Sequence, residues 1–340
     1  MKIKSVQIKS LWNTYDINLN LNDSVNVLSG INGCGKSTIL EFVLFLLVHH
    51  KHKLPIYLAP RVKSIIIDTD KGTVYYESFN DNYLNLKKNA ESNSQFSDLK
   101  ISVDDKLVGK DIKRWDNINI AASVSYVKVG ERKLSDSEMS EFVDSVDFVS
   151  VDSFDSKFVD TNGDIIEEGF SLDSQLKDIF VSYSYYIGSL AEKIGKAAAE
   201  NNLSKATYDE IYSQRNLFVS IMNDFLRETD KEIVLTNQEP KFMVNGDKDN
   251  LLTYKELSSG EKQVLLIMLR TLLQEKKEYI FTLDEPEISL HTDWQRILIE
   301  KIKLLNPNCQ LIIATHAPSI ILNGWSSCVQ NIEDVRTVIK

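Results

Sequence analysis

Gly30-Ile31-Asn32-Gly33-Cys34-Gly35-Lys36-Ser37-Thr38 decides how the rest of this sequence is read. Its spacing is G-x-x-x-x-G-K-[ST], that of a phosphate-binding loop. Ser24 to Leu28 before it reads as a short buried strand. Thr38 to Val48 after it reads as an apolar helix opening directly from the loop. Glycines at 30, 33 and 35 let the backbone turn its N–H groups inward onto phosphate oxygens. The helix N-terminus adds partial positive charge. Lys36 is expected to reach the β- and γ-phosphates and Ser37 to offer its hydroxyl to magnesium. Asn32, Cys34 and Thr38 complete the cradle. A glycine-rich turn can match this pattern by chance, but the flanking strand and helix argue against that. Alone, the loop specifies only binding of a nucleoside triphosphate.

The chain has 340 residues, enough for about two domains. Hydrophobic residues make up 43% and charged residues 26%, the composition of a soluble globular protein with material for a core. No apolar run reaches the ~18 residues of a membrane span, and Met1 to Ser5 alternates like a strand rather than a secretory leader, so no membrane partner is expected. Cysteines at 34, 309 and 328 fit neither a disulfide framework nor a zinc site, which points to a reducing, cytoplasmic setting. A net charge of −10 argues against non-specific coating of nucleic acid. It leaves room for a local basic strip, for which His49-His50-Lys51-His52-Lys53 is a candidate; a solvated helix end is the alternative.

Strand-like runs open the chain at Lys2 to Ile8 and Tyr15 to Leu21. Lys63 to Asp68 and Thr73 to Phe79 flank a Gly-containing turn and read as a hairpin. Asn80 to Asp98 reads as loop, and shorter strand candidates follow at Leu99 to Val103, Ala122 to Val129 and Val146 to Val151. Ser135 to Asp178 is the most acidic part of the chain. Leu172 to Ala199 and Lys205 to Glu228 read as two helices, each about 35–40 Å long. Their tyrosines Tyr183, Tyr185, Tyr186, Tyr208 and Tyr212 are either inter-helix packing or a partner surface. Strands at Ile233 to Leu235 and Lys241 to Val244 precede the turn signal Asn245-Gly246.

A second cluster of chemistry begins at Leu257. Ser258, Ser259 and Gly260 stand at the start of an apolar helix, with Glu261 in its first turn; this is either a second anion-binding helix end or an ordinary cap. Tyr279 to Leu283 is a buried strand ending in Asp284-Glu285-Pro286. Asp284 can hold magnesium, and Glu285 can act as general base on an attacking water. Gln310 to Ala314 is a further strand, ending in Thr315-His316, so His316 is expected at the same sheet edge as Asp284. A neutral imidazole there can bond a γ-phosphate or position the water.

Gly30 to Thr38, Leu257 to Gln263, Leu283 to Pro286 and Thr315-His316 resemble, in order, the Walker A, signature, Walker B and switch-histidine motifs of ABC-class ATPases. The resemblance covers roughly 1–80 and 232–325. It implies an α/β head, a mixed sheet with a phosphate-loop helix and an antiparallel β subdomain, split by a partly helical insertion. The corresponding divisions are 1–80, 81–231 and 232–340. It further implies ATP and Mg2+ as ligands and a head-to-tail dimer. Each ATP would lie between the Walker motifs of one subunit and Ser258, Ser259 and Gly260 of the other. Ser289-Leu290-His291 falls at the family's D-loop, but His291 replaces the usual Asp and takes no role. Gln175 matches the Q-loop poorly, and that element is not placed.

More than two hundred residues separate Thr38 from Leu257, a larger gap than in transporter subunits. The pattern is similar to SMC-type and related stand-alone ATPases without their long coil. It also resembles bacterial AAA-type ATPases of anti-phage systems such as Septu and PARIS and of retron-linked operons. OLD-family nucleases share the ATPase type, but only about 25 residues follow His316, so their nuclease domain is not expected. The expectation is an ATPase whose catalytic residues are Glu285, His316 and Lys36 and whose metal ligands are Ser37 and Asp284. It would regulate a nuclease or toxin effector. The alternative is a DNA-repair or chromosome-maintenance ATPase of RecF or SMC type that binds DNA itself; a transporter subunit is a weaker rival.

Overall fold

The computed structural model describes residues 1–48, 61–79, 122–130, 132–133, 135, 138, 142, 148–152 and 172–339. The 49–53 strip, the 80–98 loop, the 99–103 strand candidate and most of the acidic run lie outside the described residues. In chain order, the elements are β1 (Ile3–Leu11), β2 (Tyr15–Asn20), β3 (Val25–Ser29), α1 (Lys36–Val48), β4 (Ser64–Thr69), β5 (Thr73–Phe79), β6 (Ala122–Val129), β7 (Arg132–Lys133) and β8 (Phe148–Asp152). They continue with α2 (Leu172–Ala199), α3 (Lys205–Ile211), α4 (Ser213–Leu226), β9 (Lys231–Val234), β10 (Lys241–Val244), β11 (Asp247–Leu252), α5 (Ser259–Leu272) and β12 (Ile280–Asp284). The last are α6 (Thr292–Leu305), β13 (Gln310–Ala314), α7 (Pro318–Leu322), β14 (Val329–Asn331), α8 (Ile332–Val335) and β15 (Arg336–Val338). The fold is mixed α/β, and the chain divides into two compact units.

The first unit, Met1–Phe148 with Gln330–Lys340, is built on an antiparallel sheet of order β15-β2-β1-β4-β5-β6-β7. Apolar alternation sets its register: Val6 pairs with Leu19 and Ile8 with Ile17, all buried. The register then slips, and Leu11 pairs with Tyr15. Ser10, at φ 57°, is the extra residue of this bulge. It lets both Ile8 and Leu11 face the core although they are three apart. β3 pairs with β14 and is buried from Val25 to Leu28. The polar side chain within that buried stretch, Asn26, accepts from the Asn22 N–H at 2.6 Å and donates back to the Asn22 carbonyl at 2.8 Å. α1 follows, burying Ile39, Leu40, Phe42, Val43, Leu46 and Leu47.

The second unit, Val149–Val329, centres on α5, which is buried nearly all round. α2, α4 and α6 pack against it. β12 lies between β13 and β8, and β12 and β13 are parallel, with Phe281 beside Leu311 and Leu283 beside Ile313. Both strands are buried almost throughout, Thr282 and Gln310 included. Truncating Phe281, Leu283, Leu311 or Ile313 to Ala is worth about 2–5 kcal/mol. β9, β10 and β11 form an antiparallel meander. Asn245 and Gly246 turn it with φ of 51° and 74°, the left-handed pair that a two-residue hairpin favours.

The helix expected over Lys205 to Glu228 is broken at Tyr212 (φ −90°, ψ 0°). The Tyr212 ring lies tilted against Tyr208 at 4.7 Å and beneath the Arg215 guanidinium at 5.4 Å, contacts local to the break. Asp230, at φ 49°, ends the 3-10 turn that follows α4. Of the other four tyrosines of α2 and α3, two are buried and two exposed, while Tyr212 is half-buried. Tyr183 and Tyr186 are buried, and burial pushes both phenols up to about 12; the Tyr183 hydroxyl donates to the Thr236 carbonyl at 3.0 Å. Tyr185 is 76% exposed and Tyr208 48%.

Candidate functional site

The phosphate loop belongs to the first unit. Gly30 is at φ 143°, and a Cβ there would stand 2.7 Å from Cys34 Sγ. Gly35 is at φ 108°, and a Cβ there would meet Trp12 at 3.1 Å and Leu11 at 3.3 Å. Glycine is therefore required at both by close approach as well as by backbone conformation. The β1 bulge presents Leu11 and Trp12 to the loop, so the sheet backs the turn. Cys34 is buried as packing for Gly30, whereas Asn32, Gly33 and Ser37 are exposed and Thr38 is half-buried. Lys36 is 4% exposed, and its Nζ donates to the Gly30 carbonyl across the loop at 3.3 Å. The first turn of α1 has no acidic residue, so its N-terminal dipole remains available to an anion.

The carboxylates belong to the second unit. β12 ends at Asp284, in register with Ala314 of β13. Glu285 then turns the chain at φ 46°, its N–H donating to the Ala314 carbonyl at 2.8 Å. The side chain of Glu285 is thereby left at the strand end. His316, two residues past β13, brings Nε2 to 3.3 Å from Glu285 Oε1. The Glu285 side chain is 14% exposed and the imidazole 32%, so the pair is partly withdrawn from water.

The third group opens α5. Ser258 is the N-cap: its Oγ accepts from the Glu261 N–H at 3.3 Å, and Glu261 Oε2 accepts from the Ser258 N–H at 2.8 Å. A hydroxyl that accepts in this way keeps its own proton for donation. Ser258 and Ser259 are exposed and Gly260 is buried. A Cβ on Gly260 would stand 2.4 Å from the Ser289 carbonyl oxygen, so this glycine admits the backbone of the loop after Glu285. Ser289 itself is at φ 67°. His291 is the N-cap of α6 without capping it, and its Nδ1 lies 3.5 Å from Asp293.

Sequence reasoning missed two supports. Glu261 is 1% exposed, and Oε1 accepts from Lys231 Nζ at 2.7 Å and Thr229 Oγ1 at 2.9 Å. Burial works to raise its carboxyl, but Lys231, the Ser258 N–H and Thr229 together hold it below the usual carboxylate range. Nothing local marks Lys231, thirty residues upstream. The other support is Glu287, whose carboxylate takes three donors from Thr315 to Ala317. Its place in Asp284-Glu285-Pro286-Glu287 was the available signal.

Among the described residues, no group of three or more His, Cys, Asp or Glu could cage a metal ion. Magnesium held with a nucleotide needs only one or two protein oxygens, with phosphate and water supplying the rest. The Ser37 hydroxyl in the first unit and the Asp284 carboxylate in the second are each an oxygen donor of that kind. No helix among the described residues is long and apolar enough to cross a membrane.

No curated protein matches the chain. Among solved structures it is similar to an SmcHead bound to the C-winged helix domain of ScpA, at 15% identity and a TM-score of 0.49, covering 95% of this chain and 92% of that one. It is also similar to the SMC head domain from Thermotoga maritima, at 14% identity and a TM-score of 0.48, covering 100% and 98%. An Smc head domain with an extended coiled coil, bound to the C-terminal domain of ScpA derived from Pyrococcus furiosus, matches at 13% identity and a TM-score of 0.45, covering 95% and 91%. A family model matches residues 148–323, more than half of the chain. That match makes this an AAA-type ATPase domain, and the chain belongs to the family described as AAA domain, putative AbiEii toxin, Type IV TA system.

Proposed function

We propose that the chain binds ATP with magnesium, hydrolyses it, and closes as a head-to-tail dimer around two nucleotides to regulate an effector protein. The observation that carries this reading is the Glu285–His316 pair, 3.3 Å apart at the ends of two parallel strands. In the mechanism, the phosphate-loop amides and Lys36 bind the β- and γ-phosphates. Glu285 takes the proton of the attacking water, and His316 orients that water or bonds the γ-phosphate. Ser37 and Asp284 would hold magnesium, which would supply charge neutralisation on the phosphates. Ser258 donates from the partner subunit, and its capping box holds it in place to do so. The exposed Tyr185 of α2 and Tyr208 of α3 are offered to a protein partner.

The family description names a toxin and a type IV toxin–antitoxin system, which supports a toxic effector; a nucleolytic effector and a role in cytoplasmic anti-phage defence extend that proposal. The test is Glu285→Gln. It should bind labelled ATP normally and turn it over at least about 100-fold more slowly, since general-base catalysis contributes 10²–10⁴. ATP should then hold it as a dimer in light scattering. Wild-type turnover by this variant would remove Glu285 from the mechanism. Salt-dependent DNA binding by the isolated protein, without co-purification of a neighbouring gene product, would transfer the reading to a RecF- or SMC-type ATPase.

A further inference from the structure

We propose that Glu287 is the positioning residue that sets His316 against Glu285. This rests on the reading of Glu285 as base and His316 as its neighbour. Glu287 follows the strained turn at Glu285 and reaches across to the segment after β13. One carboxylate oxygen, Oε1, accepts from the His316 N–H at 3.0 Å, the Ala317 N–H at 3.0 Å and the Thr315 hydroxyl. Thr315 is wholly buried, and its Oγ1 also accepts from the Ala317 N–H at 2.9 Å. Three donors of the segment around His316 are thus gathered on one acceptor belonging to the Glu285 loop.

The same loop is fixed from its other side. The Gln295 amide donates to the Leu290 carbonyl at 2.9 Å and to the Glu287 carbonyl at 3.4 Å. The Leu290 N–H donates to the Glu287 carbonyl at 2.9 Å. Charge-assisted bonds to backbone N–H groups are about twice as strong as neutral ones. The clamp therefore fixes the backbone from which the imidazole projects, and with it the 3.3 Å approach of Nε2 to Glu285. Glu287 acts through His316 and needs no contact with nucleotide. The second oxygen, Oε2, is buried and takes no hydrogen bond, so the clamp works through Oε1 alone.

These features separate a positioning role from a merely structural one. Glu287→Gln keeps a carbonyl acceptor for the three donors but puts an amide NH2 where Oε2 is buried. It should lose thermal stability yet keep kcat within about threefold. Glu287→Ala removes the acceptor and should lower kcat about 10- to 100-fold, with ATP affinity within threefold. Thr315→Val removes one donor at nearly constant volume and should lower kcat more mildly. The deciding measurement is a double-mutant cycle with His316→Ala, since residues acting through one another are non-additive. In the His316→Ala background, both Glu287→Ala and Thr315→Val should cost nothing further in kcat. Additive losses, or turnover that follows stability across Gln, Ala and Val, would overturn the proposal while Glu285→Gln remains inactive. If Glu285→Gln itself turns over at the wild-type rate, the underlying reading fails instead. Should Glu287→Ala not fold, Thr315→Val and Glu287→Gln carry the same decision.

Discussion

The phosphate loop keeps its glycines, lysine and hydroxyls within nine consecutive residues, whereas the carboxylate cluster is assembled from segments far apart in the chain. Glu287 holds the His316 amide across 29 residues, and Lys231 reaches Glu261 across 30. The first arrangement is enforced by backbone conformation: positive φ at Gly30 and Gly35, with Cys34 and Trp12 leaving no room for a Cβ. The second is enforced by strand register and by buried charge. A contiguous turn loses its function when its own residues change. An assembled site can be weakened by substitutions at residues that touch no substrate.

Three substitutions test this contrast. Lys36→Ala should have the largest effect, because it removes the cation of the contiguous loop. ATP binding should fall at least about 100-fold, matching the loss of a desolvated charge contact of about 3 kcal/mol. Equilibrium titration with labelled ATP checks this, and affinity within threefold of wild type would break the assignment of the loop.

Ser258→Arg comes next. It should leave ATP affinity unchanged and stop turnover, since the serine serves the other subunit's nucleotide. Mixing it with Lys36→Ala should restore part of the activity, because a mixed dimer contains one intact composite site. No rescue at any ratio, with mixed dimers demonstrated, would remove the head-to-tail arrangement.

Lys231→Met tests the assembled region through stability. It leaves Glu261 buried without its cation, and breaking such a pair costs about 3 kcal/mol. The carboxyl of Glu261 is held below its ordinary value in the folded protein. Its contribution is therefore present above the unfolded carboxylate pKa of about 4.3 and is lost as pH falls through the depressed folded value. Thermal melts of wild type between pH 7 and 3 should show that loss, and in Lys231→Met it should be smaller. A variant as stable as wild type at pH 7 would show that the pair contributes nothing.

Much of this was legible from local pattern. The bounds read for β10, β13 and α2 coincide with the observed elements, because apolar periodicity and turn residues act over a few positions. The Ser258–Glu261 capping box lies in four consecutive residues and was visible in part: the serine cap and the acidic first turn were read, the reciprocal bond was not. The bulge at Ser10 and the break at Tyr212 were not legible. The first serves the burial of both Ile8 and Leu11, and the second accompanies a Tyr208–Tyr212–Arg215 cluster, so each depends on neighbours that periodicity does not register.

Residue types and spacing alone were enough to define a phosphate loop, a strand ending in two carboxylates and a second strand ending in a histidine. The reason is that each of these is a local solution to a backbone problem: a left-handed turn, a buried run, a capped helix. That Glu285 meets His316, that Gly260 yields to the Ser289 carbonyl, and that Glu287 gathers Thr315, His316 and Ala317 followed only once β12 and β13 lay in parallel register and α5 was packed among its neighbours. Such contacts depend on distances between segments, which hydrophobic burial and strand pairing set in three dimensions and no pattern along the chain records.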